Sequence, residues 1–554
     1  MAHSEQHTPG FKGQYDLGVQ PPTQRTLVVR AAHQVTAEER ERVQVATEYN
    51  GFAFSAGMLL VDFLSDSGAS AMTDAQWAAL VRGDEAYGGN HGLYAIVHAI
   101  RDTFERPRPR GQAPVVSRII ADDADDIGEW WRQTDAEEPA PNTFANWGRA
   151  LRESPNFFVL PQGRCAENLI FGTVGEVLAR ENAPKPWRIP CNGFFDTTEA
   201  QASVNHFTPT NLFSPHFHDA FSVADVDRTN PFKGNIDIAR LEKIFELGGT
   251  VPMVLLTVTN NTAAGQPVSM RNIEQAAQIA HAHGVPLVFD AARFAENAWF
   301  IHEFEEGWKG RPILDIVHAM FSHCDAFTMS AKKDGLGNIG GFLCFRNKGL
   351  FHKRFSTPEH DVGSLLQEKQ IMRYGNASHG GLSGRDIMAL AAGFYQVVRP
   401  EYLRRRVLQT RKLAVDLVKA GVAGVIMPPG GHAVYLDMTP FFEGTPIKID
   451  DFAGVGFEIE LIRLYGIRCC ELGPFAFEWD QKNAEQRKGI LNLVRFAIPR
   501  NMYNEDHMSY TVAAIAELYK HREKIPKVTV ARGAELHLRH FQSGLKPDYY
   551  NGKL

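Results

Sequence analysis

From Asn156 onward, short apolar runs alternate with helical stretches, and this alternation limits the fold more than any other feature of the chain. Phe157–Leu160 reads as a strand, with Gln162, Gly163 and Arg164 between it and a helix. Val251–Thr259 reads as a strand of mostly apolar residues. A helix follows from an N-cap at Ser269. Its apolar positions Ile273, Ala276, Ala277 and Ala280 recur at i, i+3, i+4 and i+7, and Gly284 ends it. Pro286–Phe289, Ala326–Met329 and Gly341–Phe345 read as further strands. Apolar strands separated by helices predict an α/β fold with a largely parallel sheet covered on both faces. Beyond about residue 395 helices dominate, with a strand at Ala433–Asp437, which predicts a second, smaller domain.

The remaining stretches divide by composition. Residues 1–35 are polar and read as an N-terminal arm, disordered or packed on another subunit. From Thr36 to about Thr103 the pattern is mostly helical, broken by a loop at Ser65–Gly68. Residues 106–155 open with alternating Arg and Pro, then carry Asp122, Asp123, Asp125, Asp126, Trp130, Trp131 and Trp147. They read as an insertion, either a surface excursion whose tryptophans pack locally or a lid or subunit contact. The expected division is residues 36–82 as a segment serving the small domain and subunit contacts, 83–394 as a large domain, and 395–554 as the small domain. No internal repeat is visible.

Composition narrows the function. With 44% hydrophobic and 22% charged residues the chain is an ordinary globular protein, and a net charge of −6 disfavours nucleic acid or an anionic membrane as partner. An anionic ligand therefore needs a local cluster of donors. The six cysteines form no CxxC pair, which predicts reduced thiols in the cytoplasm. The N-terminus has no apolar run of signal-peptide type, and no stretch of about 18 apolar residues predicts a membrane span.

Open α/β sheets bind ligands beyond the C-terminal ends of their strands, so the polar residues at those ends matter most. Gln162, Gly163 and Arg164 would place free backbone N–H groups and a cation at a helix start, a phosphate cradle or simply a turn. Asp290, with Arg293 three residues on, would hold a protonated ring nitrogen or cap a helix. Ser330, Lys332 and Lys333 follow the Ala326–Met329 strand. Two buried lysines need anions or a covalent bond, while a solvated pair needs neither. A separate possibility is a metal site at His216, His218 and Asp219, since an HxH spacing supplies two ligands.

These sets occur in order on successive strands, and together they resemble the β-eliminating lyases, tryptophanase and tyrosine phenol-lyase. The resemblance is carried by Asn261–Ser269 (NTAAGQPVS), Asp290–Ala298 (DAARFAENA), Ser330–Asp334 (SAKKD) and Asn338–Phe342 (NIGGF). Leu64–Gly68 (LSDSG), Gly83–Tyr87 (GDEAY), Gly380–Asp386 (GGLSGRD), Gly430–Val434 (GGHAV) and Ile498–Arg500 (IPR) extend it from about residue 36 to near the C-terminus. The insertion at 106–155 and the arm have no counterpart.

The resemblance implies a fold-type I, aspartate-aminotransferase-like enzyme that uses pyridoxal 5'-phosphate. It implies Lys333 as the lysine that carries the cofactor covalently. Gln162, Gly163, Arg164, Ser330 and Lys332 would bind its phosphate, and Phe195 would stack on its ring. Asp290 would pair with the ring nitrogen and Arg293 with the ring hydroxyl. Asn261 and Arg500, with Ser65 and Ser67, would lie near the substrate carboxylate, and Phe52 would be a further substrate-binding residue. Tyr87 would be the general acid, supplied by a neighbouring subunit of a homotetramer. Glu85 and the carbonyls of Gly68 and Asn338 would hold a monovalent cation, K+. The implied reaction is β-elimination from an amino acid, leaving pyruvate and ammonium.

The leaving group is read from fewer residues. Leu472 stands where phenol-lyases carry an arginine for the phenol hydroxyl, and an apolar side chain leaves that group unpaired. His540 matches a histidine of tryptophanase, although a structural histidine is the alternative. The run from Phe194 to Thr198 also leans to tryptophanase. Departures from the family are His379 for tyrosine, Ser65 for threonine and Cys165 for glycine. L-Tryptophan or a related aromatic amino acid is the leading substrate. A C–S lyase of S-substituted cysteines, a tyrosine phenol-lyase-like enzyme, a β-substituting or biosynthetic lyase, and a non-catalytic relative stay open.

Overall fold

Strands β1 (Phe157–Leu160), β2 (Trp187–Cys191), β3 (Phe207–Asn211), β4 (Val254–Thr257), β5 (Leu287–Asp290), β6 (Ala326–Ser330) and β7 (Gly341–Phe345) form one sheet in the order β1-β7-β6-β5-β4-β2-β3. Neighbours run parallel except β7, which is antiparallel to both β1 and β6. This is a computed structural model, and it describes residues 24–26, 29–105, 142–145, 154–377 and 381–554. Most of the expected arm and insertion, and His379, lie outside them.

Strand periodicity divides the sheet's side chains between two cores. Phe157, Val159, Val254, Leu256, Leu287, Phe289, Phe327 and Met329 enter one. Phe158, Leu160, Leu255, Val288, Leu343 and Phe345 enter the other. Helices α1 (Ala37–Ala46), α2 (Asp74–Arg82) and α3 (His91–Phe104) precede the sheet, and α4 (Gly163–Arg180) leaves β1. After it come α5 (Asp196–Val204), α6 (Met270–Ala282), α7 (Phe294–Phe304) and α8 (Gly384–Val397). Helix α4 covers the second core through Ala166, Leu169, Ile170 and Val174. Helices α3, α6, α7 and α8 cover the first. Both faces are thus buried, as apolar strands require.

Two details differ from the sequence expectation. Strand β4 spans four residues, not nine. Pro252 lacks a ladder N–H at one end. At the other, the chain turns so that Asn260 N–H reaches Gln266 O at 2.9 Å. Strands β2 and β3 carry Pro190 and Pro209, which hide them from a pattern reading. They are tolerated because β3 is an edge and β2 meets β4 in ladder register only at Cys191 and Leu255.

A second sheet of β8 (Ala433–Asp437), β9 (Cys470–Leu472) and β10 (Leu493–Ala497) is antiparallel, in the order β9-β10-β8. Helices α9 (Pro400–Lys419), α10 (Ala453–Tyr465) and α11 (Glu505–Lys520) pack on it through Leu413, Leu417, Phe457, Leu461, Ile515 and Leu518. Helix α1 begins at a Thr36–Glu39 capping box and joins this unit, with Gln44 Nε2 donating to Ile459 O at 2.9 Å. The short pair Val61–Asp62 with Ile467–Arg468 adds to it. Helix α2 instead rests on α8, where Gln76 Nε2 donates to Ala389 O at 3.3 Å. The chain between Leu64 and Ala71 therefore bridges the two sheets. A final hairpin of β11 (Lys527–Arg532) and β12 (Gly544–Asp548) carries His540 in its connection. All six cysteines are free and buried. Among the described residues no helix is long and apolar enough to cross a membrane.

Candidate active site

The C-terminal ends of β1, β5 and β6 open into one pocket. Its walls include Ser65, Ser67, Gln162, Gly163, Arg164, Phe195, Asn261, Asp290, Arg293, Ser330, Lys332, Lys333, Leu472 and His540. Residues separated by hundreds of positions meet there because the parallel strands end at one edge.

At the start of α4, Gln162 is the N-cap but makes no side-chain cap bond, so first-turn N–H groups remain for a ligand. A Cβ at Gly163 would sit 2.9 Å from Ser330 Cβ, so glycine lets the helix start press against the end of β6. Arg164 and Lys332 add positive charge; Lys332 Nζ lies 3.5 Å from Gln162 Oε1. Burial and the Arg164 guanidinium lower the Lys332 ammonium below its usual value. An anion at this point relieves both costs.

Lys333 comes next on the chain. Burial and the Arg293 guanidinium push its ammonium down to about 8, against the pull of Asp290, Asp66 and Glu167. A fraction of neutral amine is thus present near neutrality. Asp290 ends β5, paired in register with Thr328 of β6, and its Oδ1 accepts Ala292 N–H at 3.2 Å. Arg293 is buried, and its Nε and Nη2 grip Asp66 at 3.0 and 2.7 Å. One edge of the guanidinium is occupied, and Nη1 remains for the pocket that Arg293 lines.

Asn261 Oδ1 accepts from Tyr435 Oη at 2.7 Å and faces His432 Nε2 at 2.9 Å. With its oxygen occupied, Asn261 presents its amide N–H groups. Arg495, in the middle of β10, lines the pocket between these groups and the chain at Leu64, whose carbonyl accepts from Nη2 at 2.9 Å. Its Nε is buried without a partner. Arg495 is a residue the sequence reading missed.

The expectation for Arg500 is corrected by its position. Arg500 is fully enclosed and forms no wall of the pocket. Nη1 donates to Asp66 at 2.9 Å, and Nη2 to Glu296 at 2.8 Å and Asp334 at 2.7 Å. The chain leaves β10 at Ala497, and past Pro499 its side chain enters the buried junction of the two sheets. Arg495, unlike Arg500, is a cation in the pocket wall, and its Nη1 lies 3.4 Å from Asn261 Oδ1.

One end of the pocket is aromatic and apolar. Phe52 meets His540 edge-on at 5.6 Å and Phe541 at 4.6 Å between ring centroids, beside Leu472 and Cys470. His540 Nε2 lies 3.0 Å from Asp196 Oδ2, and both side chains are 3% exposed. His540 Nδ1 has no partner. With Nε2–H donated to Asp196, Nδ1 is an acceptor. Asp196 follows Phe195, the N-cap of α5, so one turn delivers both a ring and a carboxylate.

The remaining expected residues stand apart. Tyr87 is 72% exposed before α3 and is not a wall of this chain's pocket. Asn338 Nδ2 donates to Gly68 O at 2.9 Å, so these two are adjacent. Glu85 accepts N–H groups of Gly384 and Arg385 at the start of α8. His216 pairs with Asp219 on the surface at 2.8 Å. Among the described residues no three His, Cys, Asp or Glu side chains converge as a metal site.

This set fits pyridoxal phosphate. It offers an uncapped helix start with two cations for the phosphate, a lysine of lowered basicity for the aldehyde, and a carboxylate and a guanidinium for the ring. The fold resembles the crystal structure of Oryza sativa TDC with PLP, with a TM-score of 0.51 at 14% identity, covering 94% of this chain and 92% of that one. It is the fold-type I architecture expected from the sequence. Tryptophanase of Rhodobacter capsulatus is 33% identical over 91% of this chain and 94% of its own length. Tyrosine phenol-lyase of Fusobacterium nucleatum is 33% identical over 90% and 93%. The β-eliminating lyase family model matches residues 62–514, and with these relatives it shows that the chain is an enzyme belonging to the β-eliminating lyase family.

Proposed function

We propose that this protein is a pyridoxal-phosphate-dependent carbon–carbon lyase that cleaves L-tryptophan or a close aromatic relative, releasing the ring, pyruvate and ammonium. The observation that carries the substrate reading is the buried His540–Asp196 pair, whose unpartnered Nδ1 is an acceptor for a ring N–H. Leu472 beside it offers no donor or charge for a phenol oxygen.

The bound cofactor supplies an electron sink for the charge left when the α-proton departs. The protein does the rest. Gly163, Arg164, Ser330 and Lys332 would hold the phosphate, and Phe195 and Asp290 would hold the ring. Arg293, steadied by Asp66, would pair with the ring hydroxyl. Arg495 and Asn261, with Ser65 and Ser67, orient the substrate carboxylate. Lys333 takes the α-proton, for which its lowered basicity suits it near neutral pH. A carbon leaving group needs a proton as its bond breaks. Tyr87, exposed on its own chain, serves a neighbouring subunit's pocket. The enzyme is accordingly a homo-oligomer, a tetramer built from at least a dimer. K+ beside the carbonyls of Gly68 and Asn338, with Glu85, steadies that region. Six free, buried cysteines accord with a reducing cytoplasm.

The test is pyruvate release by purified holoenzyme from L-tryptophan, L-tyrosine and S-ethyl-L-cysteine. Tryptophan should give stoichiometric indole and the highest kcat/KM. Turnover of S-ethylcysteine with no indole from tryptophan would replace this reading with a C–S lyase.

A further inference from the structure

We propose that Glu167 is a positioning residue that locks the Phe195–Asp196 turn to helix α4, so that one buried carboxyl aligns the ring-stacking face and the leaving-group pair. The proposal rests on the function proposed above.

Glu167 lies one turn into α4, beyond the helix start that faces the phosphate. It is 9% exposed and lines the pocket. Thr198 Oγ1 donates to its Oε1 at 2.5 Å and Thr197 Oγ1 to its Oε2 at 3.3 Å. Both threonines occupy the first turn of α5, whose N-cap Phe195 makes no side-chain cap bond. The side-chain bonds that tie this first turn to α4 are those to Glu167, and one turn further on Asn168 Nδ2 donates to Gln201 Oε1 at 3.1 Å. Directly upstream of the threonines are Phe195, expected against the ring, and Asp196, the partner of His540 at 3.0 Å. A rotation of α5 would move both.

A carboxyl is an expensive way to join two helices, since an apolar pair at the same place needs no desolvation. No Lys or Arg pairs with Glu167 within ion-pair distance among the described residues. Burial and the charge of Asp290 lift its carboxyl to about 7, while the Thr198 bond, Lys333 and Arg164 pull the other way. What the carboxyl offers and a leucine does not is a pair of directional acceptors, which fix the turn in rotation as well as distance.

The test uses holoenzyme of wild type, Glu167→Leu, Glu167→Gln and the double variant Thr197→Val/Thr198→Val. Circular dichroism of the cofactor band reads the ring face, and kcat and KM are measured with L-tryptophan and S-ethyl-L-cysteine. A thiolate leaves without help from the His540–Asp196 pair, whereas indole does not. Glu167→Leu should keep its cofactor but change the dichroism, and lower kcat for tryptophan on the order of 10²-fold. KM should change by less than about 3-fold, and turnover of S-ethylcysteine, which needs the ring face but not the His540–Asp196 pair, should fall by only about 10-fold on the same scale. Glu167→Gln, which keeps an acceptor for Thr198, should recover most of that loss. Should the leucine variant lose thermal stability, the threonine double variant, which preserves volume, is expected to show the same split. Equal losses on both substrates, or unchanged dichroism and kcat in the double variant, would overturn the role of Glu167. Wild type that yields pyruvate from neither substrate would instead refute the proposed function.

Discussion

Replacing Arg500 by methionine separates a structural arginine from a substrate-binding one. Arg500 joins three buried carboxylates, but they do not depend on it equally. Asp66 keeps the fork from Arg293, and Glu296 keeps Arg406 at 2.9 Å. Asp334 loses the only ion pair it makes among the described residues and retains the backbone N–H groups of Ala295 and Glu296 at 2.8 and 3.3 Å. One buried carboxylate is thus left uncompensated, which costs about 3–5 kcal/mol. A chain of 554 residues has an unfolding entropy on the order of 1 kcal/mol/K, so Tm should fall by about 3–5 °C. The deficit should depend on pH. Burial and Glu296 raise the Asp334 carboxyl to about 6 even with Arg500 present. A raised carboxyl binds its proton more tightly folded than unfolded, so stability is lost as pH rises through the window from the ordinary 3.8 to about 6. Without Arg500 the window moves up, and the Tm deficit should be larger at pH 8 than at pH 6. Arg495→Met is the control. It removes a charged donor from the pocket, about 1.5–3 kcal/mol, or about 10- to 150-fold in kcat/KM, mostly in KM. Scanning calorimetry and pyruvate kinetics read both. An Arg500→Met enzyme with unchanged Tm and a selectively raised KM would refute the assignment.

Three further outcomes follow from the pocket. Only a neutral amine attacks an aldehyde, and Lys333 is depressed to about 8. Cofactor capture by apoenzyme should therefore accelerate as pH rises through that value and then level, whereas continued acceleration toward the ordinary lysine value of 10.5 would contradict it. The same depression penalises the folded apoenzyme below the folded value, a penalty that fades between there and 10.5 as the unfolded amine also loses its proton. His540→Phe should cost about 1–3 kcal/mol on tryptophan, read as kcat/KM, with S-ethylcysteine nearly unaffected; an equal loss on both would show that His540 only packs. Leu472→Arg alone should not yield tyrosine cleavage, because Asp196, His540 and Phe541 still shape that end, with Phe52 packed behind the two rings, and ready phenol release would disprove this.

The parts of the site readable from the chain are those that local order dictates. Gln162–Arg164, Asp290 and Ser330–Lys333 each follow a strand directly, and a parallel sheet brings such positions to one edge. Arg495 was hidden because it lies inside a strand of the second sheet, where a charged residue reads as a solvent-facing position. Arg500 was misread for the complementary reason. Its place after Ile498 and Pro499 says nothing of the three carboxylates that reach it from Asp66, Glu296 and Asp334. Glu167 sits in a helix whose burial depends on α5, a contact absent from any local pattern. Asp66 lies between two serines that line the pocket, and only packing reveals that it faces three arginines, Arg293, Arg406 and Arg500. The two proline-bearing strands were unreadable because their tolerance for proline depends on edge position, a property of the assembled sheet.

In the proposed reaction Lys333 is the residue that bonds the cofactor. Borohydride reduction of the yellow holoenzyme, followed by peptide mass spectrometry, tests it directly. The predicted result is a single phosphopyridoxyl adduct on Lys333, with none on Lys332, and an enzyme that is inactive after reduction. An adduct on Lys332, or an active and unlabelled enzyme after the same treatment, would contradict the account.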